Sequence, residues 1–258
     1  MTGLLPMEFA SPQWVDRITS TNTALVERLA AGERLPSGYV LATTDQTAGR
    51  GRGQHRWTSQ PGRDLCCSFV LQAPVEPGRL CSLSMATAVG VVDCLESFGI
   101  EAQTKWPNDV VVNDRKITGI LPELASGAPP QGTPRMIVVG VGLNIGMSAA
   151  EAAAQIDQPA TSLFIETART PLPKEVLAAL LLALVPRIDE WIAHGFSGQL
   201  KTAWEDRCIG IGRQVTIAEG NRSRSGNLAG FGTEGQLLLE EDTGTSEVWS
   251  GTLRLGRK

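Results

Sequence analysis

Four β-prone runs follow one another between Ala102 and Val141, and no other feature constrains the fold of this chain as strongly. They are Ala102 to Thr104, Val110 to Val112, Gly119 to Leu124 and Met136 to Val141, each short and bounded by turn-forming residues. Ser126 to Pro134, rich in Gly and Pro, reads as a hairpin loop between the last two, and a hairpin pairs its strands antiparallel. Tyr39 to Thr43 is also β-prone, and Leu65 to Leu71 reads as a buried strand. Helical spacing is clear from Ser82 to Phe98, where Met85, Val89, Val92 and Leu95 recur and Gly99 is placed to stop the helix. Ala24 to Leu29 is a helix-like run ended by Gly32, with Ser20, Thr21 and Asn22 ahead of it as candidate N-caps. Lys174 to His194 carries an apolar face at Leu177, Leu181, Leu184, Ile188 and Trp191, with Pro186 expected to kink it.

After Trp204 the texture changes. Gln214 to Ala218, Gly226 to Phe231, Gln236 to Glu240 and Val248 to Trp249 look like short strands between turns, a pattern that suits a small β-barrel from about Ile209 onward. The expectation is therefore an α+β chain with a catalytic part over 1–208 and a small C-terminal part over 209–258.

Composition narrows the function classes. Hydrophobic residues at 42% and charged residues at 19% are those of a globular protein. The formal net charge of −4 argues against broad nucleic-acid binding, which calls for a basic domain. Met1 to Trp14 lacks a basic region followed by an apolar run, so no secretory signal is expected. Val176 to Val185 is too short for the ~20 residues that cross a bilayer. Five cysteines without a CxxC pair, and only two histidines, argue against a zinc site and suit thiols in a reducing compartment. The reading is a soluble, cytoplasmic protein.

Chemistry concentrates between Gln46 and Trp57, in Gln-Thr-Ala-Gly-Arg-Gly-Arg-Gly-Gln-His-Arg-Trp. Glycines at 49, 51 and 53 let a backbone approach a ligand closely, and the guanidinium groups of Arg50, Arg52 and Arg56 suit phosphate and carboxylate oxygens. A Walker loop needs Lys-Ser or Lys-Thr after its last glycine, whereas Gly53 is followed by Gln54-His55. A dinucleotide fingerprint needs glycine at 54 and a helix directly after, whereas the chain continues into the turn-forming Trp57 to Gly62. Both common nucleotide motifs fail.

Three further segments accompany the loop: Ser20-Thr21-Asn22; Lys105-Trp106-Pro107-Asn108-Asp109 with Lys116-Ile117-Thr118-Gly119-Ile120-Leu121; and Gly140-Val141-Gly142-Leu143-Asn144-Ile145. In this order the four segments resemble the biotin protein ligase family, strongly from about Trp14 to Leu163 and more weakly to the C-terminus. The resemblance implies a class II synthetase-like biotin/lipoate ligase fold, a mainly antiparallel mixed sheet with flanking helices, followed by an SH3-like barrel. It implies MgATP and biotin as substrates, biotinyl-5′-AMP as intermediate, and the lysine of a biotin carboxyl carrier domain as acceptor. It also allows for a homodimer.

Carried over by position, Ser20, Thr21, Asn22 and Gln46 match the family's biotin contacts. Arg50, Gly51 and Arg52 match the loop over biotin and its adenylate, with Arg50 beside the chemistry. Lys105 matches the catalytic lysine; Pro107 biases Trp106 toward extended backbone, which would hold this lysine at a strand end. An ammonium there stabilises the charge that builds as a carboxylate meets a phosphate. Arg56, Trp57, Asn108, Lys116 and Asn144 fall on the nucleotide side. Trp57 is either an apolar anchor for the loop or a core residue, and Asn108-Asp109 either supports magnesium, bonds the lysine loop or is a plain turn. No residue is assigned as a protein-held metal ligand.

Three departures stand out. Gln54-His55 replaces the second Gly-Arg common in the family, with Arg56 one place later. Pro122 falls where a non-proline apolar residue is usual, so its strand is expected to be interrupted or at an edge. Only 19 residues precede Ser20, so no winged-helix DNA-binding domain and no DNA binding are expected. The rival readings are a lipoate or octanoate ligase on the same fold, whose Arg-Arg/Gly-Gly-Gly/His-Asp signature is not found, and a non-enzymatic RNA- or partner-binding module. The second lacks the several aromatic platforms that single-strand binders offer.

Overall fold

The computed structural model describes residues 7–53, 55–73, 77–125, 134–154, 158–220 and 222–256. The chain opens with β1 (Gln13–Trp14), α1 (Thr21–Ala30) and β2 (Val40–Thr43), then forms a small hairpin from β3 (Gly49–Arg50) and β4 (Arg56–Trp57). A long strand β5 (Leu65–Ala73) leads through a 3-10 turn to α2 (Leu80–Ser97). Next come β6 (Gln103–Lys105), β7 (Asp109–Val112), β8 (Arg115–Leu124) and β9 (Arg135–Leu143). Two short helices, α3 (Ala149–Ala153) and α4 (Leu163–Thr167), precede α5 (Pro173–His194) and α6 (Gly198–Glu205). Five strands close the chain: β10 (Gln214–Glu219), β11 (Arg222–Phe231), β12 (Leu237–Glu241), β13 (Gly244–Val248) and β14 (Thr252–Leu255).

The main sheet has seven strands in the order β1-β2-β5-β9-β8-β7-β6. Only β1 and β2 pair in parallel; the other neighbours run antiparallel, as the sequence predicts. The β7–β8 turn is Asn113-Asp114, with φ of 50° and 60°, the left-handed pair that a two-residue hairpin demands and that Asn and Asp tolerate. The expected hairpin loop of Ser126 to Pro134 lies largely outside the described residues, while the strands flanking it pair antiparallel from Thr118↔Leu143 to Leu124↔Ile137. Pro122 does not interrupt β8. It pairs opposite Val139, beyond the reach of β7, whose pairing extends only to Gly119, so that stretch of β8 has the edge position that proline tolerates.

Period-two alternation divides the sheet between two cores. Phe69, Leu71, Ile137 and Val139 face the larger one with α2 and α5, while Leu41, Val70 and Val138 turn to the opposite face, where Leu25 of α1 covers them. With both faces covered, β5 is apolar along nearly its whole length. Gly90 lets α5 approach α2: a Cβ there would lie 2.8 Å from Leu184 Cδ2 and 3.2 Å from its Cα. Helix α2 has the length and apolar composition of a membrane span, which the sequence reading did not single out, yet most of its residues are buried in this core. Helix α5 runs through Pro186 as one element.

The C-terminal strands form a five-stranded antiparallel sheet in the order β13-β12-β11-β10-β14. It packs against the first part: Trp204 and Phe231 meet edge to face at 5.7 Å, Trp106 Nε1 donates to the Gly235 carbonyl at 2.9 Å, and Ile209 N–H donates to the Thr104 carbonyl at 3.0 Å. One strand expectation needs correction, and one strand went unread. Val248 ends β13, which starts back at Gly244, and Trp249 is an exposed residue after it. Gly244-Thr-Ser-Glu carries no apolar alternation, since β13 is an edge strand. Strand β14 went unread because only Leu253 is fully buried in its four residues.

Candidate active site

One cavity of about 250 Å³ brings together the candidate catalytic, biotin-side and nucleotide-side residues named from the sequence. Ser20, Thr21 and Asn22 reach it from the start of α1, Gln46 and the β3–β4 hairpin from above, Lys105 and Asn108 from the β6–β7 turn, Lys116 from β8 and Asn144 from just past β9. Among the described residues, the cavity is lined by six cationic side chains (Arg50, Arg52, Arg56, Lys105, Lys116 and Arg254) and by one carboxylate, Asp109. In a chain of net charge −4 such a local surplus marks an anion site.

The uncharged wall is built around the α1 N-terminus. Ser20 is the N-cap, its hydroxyl accepting from Thr23 N–H at 3.3 Å. Thr21 N–H donates to Gln46 Oε1 at 2.9 Å, and the Thr21 and Ser68 hydroxyls meet at 2.7 Å. Ser68 donates to Asn22 Oδ1 at 2.7 Å, and Asn22 Nδ2 donates to the Leu121 carbonyl at 3.0 Å and to Glu123 at 2.8 Å. Gly140 makes room for that amide, since a Cβ there would come within 2.4 Å of Asn22 Oδ1.

The glycine-arginine segment is ordered as a hairpin rather than an open loop, with Gly49 opposite Trp57 and Arg50 opposite Arg56. Arg50 donates to Thr23 Oγ1 at 2.9 Å and pairs with Glu123. Arg52 reaches the other way and donates to the Gly251 carbonyl, between β13 and β14. Burial lowers the Arg52 pKa from the ordinary guanidinium value, with Cys81, Asp109 and Glu219 acting in the opposite sense. Trp57 lies on a floor made by the cross-strand pair Gly119 and Gly142; a Cβ on Gly142 would stand 2.3 Å from its ring, and one on Gly119 3.0 Å. Trp57 is thus a cavity wall that also anchors the hairpin.

Lys105 is the last residue of β6, the strand-end position expected of it, and among the described residues it has no carboxylate partner within ion-pair distance. Lys116 is 2.7 Å from Asp109 Oδ1 and sits over the Trp57 ring at 5.7 Å. Asp109 is therefore taken up by a lysine. Asn108 donates from Nδ2 to the Ile120 carbonyl at 2.7 Å, which ties the β6–β7 turn to β8. Asn144 donates to the Thr161 carbonyl at 3.0 Å, while its buried Oδ1 takes no hydrogen bond among the described residues and is free for a ligand donor.

Sequence reasoning missed several contributors. Ser68 links Thr21 to Asn22, and its signal was a hydroxyl inside an otherwise apolar strand. Glu123 and the Gly251 carbonyl come from distant chain positions and had no local signal. Buried Asp64 accepts from Gln60, Ile145 and Gly146 N–H at 2.7–3.0 Å and fixes the turn after β9. Burial pushes its carboxyl above the usual range despite those donors. Cys66 lies in the cavity wall, and burial pushes its thiol up to about 12, so it is no nucleophile.

A sequence model of the Biotin/lipoate A/B protein ligase family matches residues 14–144. The bifunctional ligase/repressor BirA of Bacillus spizizenii is 31% identical over 93% of this chain and 73% of its own length. The biotin--[acetyl-CoA-carboxylase] ligase of Mycobacterium tuberculosis is 31% identical over 90% of this chain and 84% of its own. Among solved structures, the biotin protein ligase of Aquifex aeolicus in complex with biotin and ATP superposes with a TM-score of 0.77, at 27% identity, over 97% of this chain and 100% of that one. The cavity, the strand order and these likenesses agree: the chain belongs to the biotin/lipoate A/B protein ligase family, among its biotin protein ligases.

Proposed function

We propose that this chain activates biotin with ATP to biotinyl-5′-AMP and transfers the biotinyl group to a lysine of a carrier domain of a biotin-dependent carboxylase. The observation that carries the reading is the cavity itself: a wall of small polar groups at one side and six cationic side chains around the rest. Joining a carboxylate to a polyphosphate brings two anions together, and fixed positive charge offsets that repulsion most where charge builds in the transition state.

A biotin carboxylate oxygen attacks the α-phosphorus, the bond to pyrophosphate breaks, and pyrophosphate leaves. The carrier lysine amine then attacks the acyl carbon, AMP departs with the bridging oxygen, and the amine loses a proton. We assign Lys105 and Arg50 to the meeting of carboxylate and phosphate, and Ser20, Thr21, Asn22 and Gln46 to the ureido end of biotin. Gly51 gives the hairpin its close approach. Arg52, Arg56, Trp57, Lys116 and Asn144 face the nucleotide, and Asn108 supports them through the β6–β7 turn. The Cys66 thiol in the cavity wall, pushed well above its ordinary range by burial, suits an adenylate rather than an acyl-enzyme.

Magnesium fits as a companion of the phosphates. The one lining carboxylate is engaged by Lys116, and no group of three or more His, Cys, Asp or Glu suited to a metal occurs among the described residues. Such an ion keeps water and phosphate ligands and needs no protein cage. It would neutralise phosphate charge alongside the lysines.

The same proposal divides the chain at 208/209 into a ligase part and an SH3-like part, and sets it in the cytoplasm. Biotin-dependent exchange of pyrophosphate into ATP tests the reaction. Exchange with lipoate instead would favour the lipoate ligase, and none with either acid a non-enzymatic module.

A further inference from the structure

We infer that Glu123 is a positioning residue for the acid-binding wall, one that sets the direction of its hydrogen bonds and holds Arg50 beside it; the inference rests on the biotin-activating reading above. Glu123 lies on β8, two residues past Leu121 and 101 positions from Asn22. One of its oxygens, Oε2, accepts from both Asn22 Nδ2 and Arg50.

A carboxylate and a backbone carbonyl can only accept, so the group of Asn22 that faces Glu123 and Leu121 must be the amino group. Its carbonyl is thereby turned toward Ser68, whose single proton it takes at 2.7 Å. At the 2.7 Å contact between the hydroxyls, Thr21 must then be the donor. That uses the only Thr21 side-chain proton, and Gln46 Oε1 is held by the Thr21 backbone N–H instead. The wall is left presenting hydroxyl lone pairs, which suits the N–H groups of a cyclic urea. Gly140 leaves the Asn22 amide its place in the wall, since a Cβ there would lie 2.4 Å from Oδ1, but it is the acceptors Glu123 and Leu121 that set which way the amide points.

The second task of Glu123 is Arg50. The guanidinium is pinned between Glu123 and Thr23 Oγ1, one residue from Asn22. With the two side chains 44% and 25% exposed, this ion pair adds little to fold stability. Its effect is orientation: the arginine is kept in the cavity lining, beside the start of α1.

Kinetics on the full chain tests this, using Glu123→Ala and Glu123→Gln in the exchange assay with biotin and ATP varied separately. In Glu123→Ala the KM for biotin should rise by about tenfold or more, the loss expected when a hydrogen-bonding array is released. KM for ATP and the melting temperature should stay at wild-type values. Glu123→Gln keeps an acceptor for Asn22 but not the charge for Arg50, and should fall between. A biotin KM unchanged in both variants overturns the inference, as does a parallel rise in both KM values with a lowered melting temperature, which marks a merely structural residue. A wild type without biotin-dependent exchange overturns the reaction reading and this inference together; an active wild type with an indifferent Glu123→Ala overturns the inference alone.

Discussion

A lysine on the last residue of a strand, with no carboxylate beside it among the described residues, has little to do for the fold. Lys105→Ala should therefore melt as wild type yet lose adenylate formation. The loss should exceed the ~1.5–3 kcal/mol of a charge-assisted hydrogen bond, because it falls on the transition state, so exchange drops more than ~100-fold. Near-normal exchange in this variant would remove Lys105 from the mechanism. The glycines make a sharper geometric case. Gly142→Ala places a methyl 2.3 Å from Cε2 and 2.6 Å from Nε1 of Trp57, on a β-strand with no slack. The indole must lift, at ~1–3 kcal/mol of overpacking cost. Both the melting temperature and the apparent affinity for ATP should fall; wild-type values for both would show that Trp57 does not depend on this floor. Lys105, Trp57 and the glycines were legible because each sits in a local pattern. Ser68 and Glu123 were not, because their partners lie 46 and 101 positions away and only the folded sheet brings them together.

At the scale of elements, legibility followed burial. Strands β5 and β9 and helices α2 and α5 carry long apolar runs that report their covered faces. Helices α3 and α4, of five residues each, are defined instead by the caps Ser148 and Ser162, and β13 by pairing at an edge. The arginine segment is the instructive case. Its glycines predicted a loop, and the structure makes it a hairpin whose tip region is tied to the C-terminal sheet through Arg52 and the Gly251 carbonyl. Arg52→Gly cuts that tie and adds a further glycine to a segment whose ordering costs ~1–2 kcal/mol per residue. The hairpin should open, biotinyl-AMP should escape, and exposed lysines of an unrelated protein in the same tube should acquire biotin. Labelling no greater than wild type, with normal retention of the adenylate, would show that Arg52 does not close the site.

For the whole molecule, the question is whether the C-terminal sheet is an appendage. Its core is continuous with that of the ligase part: Phe231, Leu237 and Leu253 belong to the same buried cluster as Leu83, Trp106 and Trp204. Removing residues 209–258 would take Phe231 from the face of Trp204 and the Gly235 carbonyl from Trp106 Nε1. Uncovered in this way, both tryptophans would face water and forfeit their apolar burial, at ~25 cal/mol per Å² of surface exposed. Against a net stability of ~5–15 kcal/mol for a whole protein, those losses are large. The intact chain should thus unfold in one cooperative transition by calorimetry. The truncated chain should either lack a cooperative transition or melt far below the intact one, and should have lost the Gly251 tie along with its activity. A truncated chain that melts at the intact temperature and ligates biotin at full rate would mean that the C-terminal sheet is merely attached, and that the ligase part holds both its core and its cavity alone.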